Sequence, residues 1–142
     1  MRILCLDFGE KNIGLAMSDK LLMTAQALGQ YRAVNKKEDL KYFKKLVTKY
    51  DIGEIVIGLP LRMNGSSGTR AEKTKEFASR LEKALNLPII LWDERLTTQQ
   101  ALKILRAQKI RGKAQKKLID QVSAIIILSS YLERRQLKSH AP

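Results

Sequence analysis

Four acids in this chain stand where an apolar segment ends in, or carries, an isolated charge. Asp7 closes the run Ile3-Leu-Cys-Leu6, Asp93 and Glu94 follow Pro88-Ile-Ile-Leu-Trp92, and Asp120 lies within the apolar stripe of the last helical stretch. A carboxylate at the edge of a core is costly unless it is hydrated, paired or metal-bound. Three acids converging from separate elements repel one another unless divalent cations neutralise them. Hard oxygen ligands with few protein contacts suit Mg2+ or Mn2+. Two such ions about 4 Å apart would activate water and stabilise the leaving oxygen in phosphodiester cleavage. The plain alternative for Asp7 is turn formation before Gly9, and Asp-x-Gly alone does not separate the two.

Other chemistries lack their residues. One histidine, His140, and one cysteine, Cys5, cannot build a zinc site or a histidine-dependent triad. The stretch Gly65-Ser-Ser-Gly68 has neither the spacing nor the lysine of a nucleotide P-loop, and no G-x-G-x-x-G follows a strand.

Charge points to the partner. The 142 residues carry 27 Lys and Arg against 14 Asp and Glu, a net charge of +13. Such an excess suits a polyanion, either nucleic acid or an anionic membrane surface. The basic stretch 103–117 lacks the bulky aromatic anchors of an interfacial helix, which disfavours the membrane. Apolar runs too short to cross a bilayer, no leader-like N-terminus and a lone cysteine lead us to expect a cytoplasmic protein. The length suits one domain with its own core. We expect that domain over 1–138, with the chain from Gln136 looking frayed and 139–142 as the frayed tail.

Elements must position the acids. The first nineteen residues read as strand, turn and strand, with a third strand from Thr24 to about Ala33; short connections make these antiparallel neighbours. Lys36 to Tyr50 is an amphipathic helix with a basic exterior. Glu54-Ile-Val-Ile-Gly58-Leu-Pro60 is a buried strand that Pro60 stops, and strand-helix-strand order favours a parallel crossover. A Gly/Ser-rich loop between Arg62 and Arg70 leads to a helix from about Ala71 to Leu85. Pro88 to Trp92 is the last strand. Thr97 and Gln100 match a capping box opening a helix with Ala101, Leu102 and Leu105. Stretch 103–117 holds seven basic residues and no acid, and its glycine, Gly112, fits a mobile phosphate-binding connection as well as a solvated helix face. The final helix begins near Ala114, and Ser123-Ala124 would let it approach the sheet closely.

Taken together, Asp7-x-Gly9 with Ile13-Gly14-Leu-Ala, Gly58-Leu-Pro60 with Gly65 and Gly68, Asp93-Glu-Arg-Leu-Thr-Thr98, and Asp120-x-x-Ser-Ala124 resemble the YqgF family, also called RuvX. The match covers nearly the whole chain in order. The resemblance implies an α/β, ribonuclease H-like fold: a five-stranded mixed sheet of order 3-2-1-4-5 flanked by helices. It implies a nuclease that matures the 5′ end of pre-16S ribosomal RNA, with Asp7, Glu94 and Asp120 as catalytic metal ligands and Asp93 as the alternative to Glu94. Arg95 and the Gly58-Leu-Pro60 turn would line the substrate path. Gly9, Lys11, Arg62, Arg70, Arg111, Lys113 and Lys116 complete the candidate substrate-binding set. Asn12 stands where many members carry Arg, and Ser123 where many carry Ala.

Two other functions fit the same residues. One is Holliday junction resolution on four-way DNA, which would ask for a symmetric dimer where RNA cleavage allows a monomer or homodimer. The other is a non-catalytic nucleic-acid-binding factor in ribosome assembly, working on ribosomal particles, whose binding would weaken steeply with salt and need no metal. Sugar kinases and actin-like ATPases share the implied fold, so the fold does not choose among functions.

Overall fold

Alternation along the first strand already sorts the core into two halves. Leu4 and Leu6 pack into one apolar cluster, Ile3 and Cys5 into another on the opposite face of the sheet. This is the period-two pattern of a strand covered on both sides. In the computed structural model, residues 1–9, 11–61, 64–65, 67–94 and 113–139 are described, with side chains of the last helix described over 122–137. The expected helix opened by Thr97 and the basic stretch up to residue 112 lie outside the described residues.

The strands are β1 (Arg2–Phe8), β2 (Asn12–Ser18), β3 (Ala25–Arg32), β4 (Ile52–Leu59) and β5 (Ile89–Asp93). The helices are α1 (Lys36–Tyr50), α2 (Thr69–Leu85) and α3 (Lys113–Ser139). Sheet order is β3-β2-β1-β4-β5, with β1-β2 and β2-β3 antiparallel and β1-β4 and β4-β5 parallel. The expected mixed sheet of order 3-2-1-4-5 is present. The crossover through α1 passes β2 and β1 and places β4 on the far side of β1, so the central strand has an antiparallel neighbour on one side and a parallel one on the other.

Local chemistry sets the ends. The Asn35 side chain accepts from the Glu38 backbone N–H to start α1, and Asp51 closes it in the left-handed conformation, its N–H bonding Val47. Asn86 ends α2 the same way on Glu82. Asp19 Oδ1 accepts from Met23 N at 2.7 Å and Thr24 N at 3.0 Å, fixing the β2-β3 turn and lowering the Asp19 pKa.

Two layers of helix cover the sheet. Phe43 of α1 and Phe77 and Leu81 of α2 pack on Leu4, Leu6, Leu15 and Ile57. On the other face Ala124, Ile127, Leu128 and Leu132 of α3 pack on Ile3, Cys5, Ala16 and Val56. Each large residue buried there contributes roughly 1.5–3 kcal/mol, enough to seat α3 firmly on the sheet. Ala124 is fully buried, as the close approach expected at Ser123-Ala124 requires. Helix α3 continues to Ser139, and Gln136 Nε2 donates to Met23 Sδ at 3.1 Å, tying the helix end to the β2-β3 turn.

Candidate active site

Strand parity selects the acids that meet. Asp7 continues the Ile3-Cys5 side of β1, facing α3, and Glu94 continues the Ile90-Trp92 side of β5, also facing α3. Asp93 is exposed at the end of β5 and acts on Glu94 only as the weakest of its electrostatic neighbours. Both inward acids lie at the carboxyl ends of parallel strands, where open α/β sheets bind their ligands.

Yet β1 and β5 are not adjacent. Strand β4 runs between them, leaving β1 and β5 roughly 9–10 Å apart across it at ordinary strand spacing. The bridge is possible because β4 carries Gly58 there, opposite Trp92 and one residue beyond the Leu6-Ile57 pair. A Cβ at position 58 would stand 2.5 Å from Glu94 Oε2 and 2.8 Å from Ile127 Cδ1. The missing side chain is the space through which Glu94 reaches Asp7, with which it shares a hydrogen bond. On its other side Asp7 pairs with a second glycine, Gly14, so the carboxyl sits in a slot between two residues without side chains.

Electrostatics follow from that geometry. Burial is the main force that pushes the Glu94 pKa up to about 8, followed by the charge of Asp7 and the hydrogen bond that protonated Glu94 donates to it; Arg70 opposes the rise. Cys5, fully buried beneath them, is raised well above its ordinary value, chiefly by burial and further by Asp7 and Glu94. Arg70 Nη2 donates to the Phe8 carbonyl at 2.9 Å, which anchors its guanidinium beside the acids. The Gly9 N–H bonds Asn12 O at 2.8 Å in the turn between β1 and β2, and a Cβ on Gly9 would meet that oxygen at 2.9 Å.

These groups enclose a cleft of about 160 Å³, with Asp7, Glu94, Arg70 and Ser123 among its walls. Gly9 and Arg70, expected from the sequence, line it. Gly58 lies beneath Glu94, and the Glu94 N–H bonds Leu59 O at 3.3 Å, so the Gly58-Leu-Pro60 turn positions the acid. Pro60 and Lys11 line neither this cleft nor the larger one beside it. Arg62, Arg95 and Arg111 lie outside the described residues. Lys113, Lys116 and Asp120 belong to α3, but their side chains lie outside the described residues.

Gln30 and Ile127 also line the cleft without having been expected. Ile127 had a signal: it follows Ser123 by four residues on one helix face. Gln30 had none, because its place opposite Gly14 depends on a bulge where pairing shifts between Leu15-Gly29 and Ala16-Ala27, with Gly29 at φ 108°.

The donor set fits a divalent cation. Two carboxyls share one hydrogen bond in a half-buried slot whose charge Arg70 offsets. Among the described residues no three His, Cys, Asp or Glu side chains gather, so the described acids form a pair.

Comparison with known proteins adds the family. A protein of Halothermothrix orenii named "Putative pre-16S rRNA nuclease" is 48% identical over 134 residues, covering 93% of this chain and 94% of that protein. One from Koribacter versatilis with the same name is 43% identical over 141 residues, covering 99% of this chain and 92% of its own. Thermus thermophilus RuvC, solved with a Holliday junction substrate, superposes with a TM-score of 0.58 over 96% of each chain at 12% identity, which shows a shared ribonuclease H-like fold. The family model for RuvX, described as Holliday junction resolvase, matches residues 1–134, and the chain belongs to that family.

Proposed function

We propose that this chain is a metal-dependent nuclease that hydrolyses phosphodiester bonds in structured RNA, acting in 5′-end maturation of pre-16S ribosomal RNA. The observation that carries the reading is the meeting of Asp7 and Glu94 across Gly58 at the carboxyl edge of the parallel strands. The names of the relatives support the substrate. Asp7 and Glu94 hold the cation, with Asp120 as third ligand. Asp120 precedes Ser123 by three residues on α3, and Ser123 lines the cleft, so the helix period puts both positions on one face. Mg2+ or Mn2+, as two ions, would supply an activated water and charge stabilisation at the leaving oxygen.

The chain's own groups do the rest. Arg70, fixed by the Phe8 carbonyl, presents its guanidinium to the phosphate beside the acids. Gly9 and Gly14 leave backbone without side chains at the cleft, so a phosphate approaches closely. Ile127 lines the cleft from the α3 side with an apolar surface. The basic residues Lys11, Arg62, Arg95, Arg111, Lys113 and Lys116 extend the phosphate-binding surface. The domain over 1–138 works in the cytoplasm, in keeping with the buried, free Cys5 and with the absence, among the described residues, of a helix long and apolar enough to cross a membrane.

The test is incubation of wild-type and Asp7→Asn protein with 5′-extended 16S precursor RNA and with a synthetic four-way DNA junction, in Mg2+, Mn2+ or chelator. Metal-dependent RNA cleavage, lost by about a thousandfold or more in the variant while RNA binding persists, is expected. Cleavage retained by Asp7→Asn removes the site assignment. Symmetric cutting of the junction alone, by a dimer in sedimentation, moves the function to resolution of DNA junctions, the activity in the description of the family model. Binding without cleavage of either substrate moves it to a ribosome-assembly factor.

A further inference from the structure

Past Arg70 the small cleft continues into a larger groove of about 660 Å³ between β1 and helices α1 and α2, sharing Phe8, Gly9 and Arg70 with it. The volume falls in the range of small-molecule sites, about 300–1,000 Å³. Its apolar wall is the half-buried Phe8, backed by the buried Ile13 and Phe77, with the two phenylalanine rings packed edge to face at 4.8 Å. Its rim is basic. Arg70, Lys73 and Arg80 recur with Phe77 at spacings of three and four along α2, so one helix face carries the cations and the ring.

The acids in the groove are already engaged. Asp39 accepts from the Tyr31 hydroxyl at 2.7 Å and the Val34 N–H at 3.0 Å, and Glu76 pairs with Lys36 at 3.9 Å. Lys73 and Arg80 have no acidic partner among the described residues. Arg80 lies over the Phe77 ring at 5.6 Å, and its Nε is buried without a hydrogen-bond partner among the described residues. A buried donor left without an acceptor is costly, so this arginine is held in place at a cost that packing on Phe77 offsets only in part.

We propose that this groove binds an unpaired nucleotide of the substrate strand, its base against the half-buried Phe8 ring and its phosphate on Lys73 and Arg80. An apolar wall beside clustered guanidinium and ammonium groups matches a base with its phosphate, the combination used wherever proteins hold single strands. A base stacked within a duplex cannot enter, so the groove selects substrates unpaired on one side of the cut. That the nucleotide neighbours the scissile phosphate rests on the nuclease reading above; binding in the groove does not.

Fluorescence anisotropy of the Asp7→Asn protein in chelator tests this without cleavage. The probes are a labelled single-stranded dodecamer of RNA, its DNA counterpart, the same strands with one abasic position at each site in turn, and a blunt RNA duplex. Lys73→Gln and Arg80→Gln together should weaken single-strand binding about tenfold while duplex binding falls about twofold. One abasic position should cost the parent protein several-fold and the double variant almost nothing. Lys73 is exposed, so Lys73→Gln alone keeps the test independent of folding should Arg80→Gln lower the melting temperature. Equal losses on single strand and duplex, or no abasic position of effect, overturn the proposal. If wild-type protein cuts no RNA in Mg2+ or Mn2+ yet these binding results hold, the nuclease reading fails and the groove stands.

Discussion

Two glutamates lie on the same face of the sheet, at opposite ends of the strands that parallel β1, and the protein treats them in opposite ways. Glu54, near the start of β4, receives the Tyr131 hydroxyl at 2.6 Å and has Arg135 Nε at 3.9 Å, both from α3. Its side chain is 14% exposed. Burial of the ring, and after it the pairing with Glu54, pushes the Tyr131 pKa up to about 12. Glu94, just past the end of β5, meets another acid instead. A half-buried carboxylate given a donor and a cation fastens a helix to a sheet. A half-buried carboxylate given a second carboxylate and an open cleft carries a raised pKa, and in the function proposed above it is the place for a cation and a phosphate.

The sharpest way to break the contrast is to neutralise each acid in turn. Glu94→Gln should lower metal-dependent cleavage by about a thousandfold or more while leaving the melting temperature in chelator equal or higher. Glu54→Gln should leave the rate within about threefold and destabilise the fold by about 1–3 kcal/mol, as loss of a charged acceptor beneath α3 implies. Cleavage rates and thermal melts on the two variants decide it, and similar profiles for both would dissolve the distinction.

Gly58→Ala attacks the geometry instead of the charge. Its Cβ would occupy the path of Glu94 Oε2 and press on Ile127 Cδ1. Displacement of the acid by about an ångström should cost about a hundredfold in rate. Asp7, Glu94 and Arg70 all remain in this variant, so full activity would show that Glu94 does not need to reach across β4.

The smallest effect is in the pH dependence of the metal-free protein. The Glu94 pKa, about 8, lies above its ordinary value of 4.5, so its contribution to stability is complete below pH 4.5 and lost as pH rises through 8. In chelator, the melting temperature of wild type should therefore fall relative to Glu94→Gln between pH 5 and 8.5, by a few degrees, on the order of 5 °C. Mg2+ should reverse the fall in wild type and not in the variant. Parallel curves in chelator would show that the two carboxyls do not share their charge as the cleft implies.

Much of this was legible beforehand because it is local. Helix α1 begins and ends where the periodicity predicts, at Lys36 and Tyr50, since its apolar stripe and caps are properties of neighbouring residues. Strand boundaries shift by a residue or two, as with β3 at Ala25–Arg32, because ladders depend on partners. The pairing of Glu94, in preference to Asp93, with Asp7 is implicit in alternation: each acid shares parity with the apolar residues that face α3. The groove beside Arg70 was not legible, since Phe8, Lys36 and Arg80 come from three elements whose packing no short spacing encodes.

By itself, then, the sequence determined the elements, the faces they bury, the acids at the strand ends and the excess of positive charge, because backbone periodicity and composition act over a few residues or over the whole. The tertiary structure decided that β4 would lie between β1 and β5, and so made Gly58 a gap between two carboxylates instead of an ordinary strand glycine. It also decided, through the bulge before Gly29, that Gln30 would reach the cleft. Strand order and register are set by which faces pack best across the whole core, and that competition is settled between residues far apart in the chain.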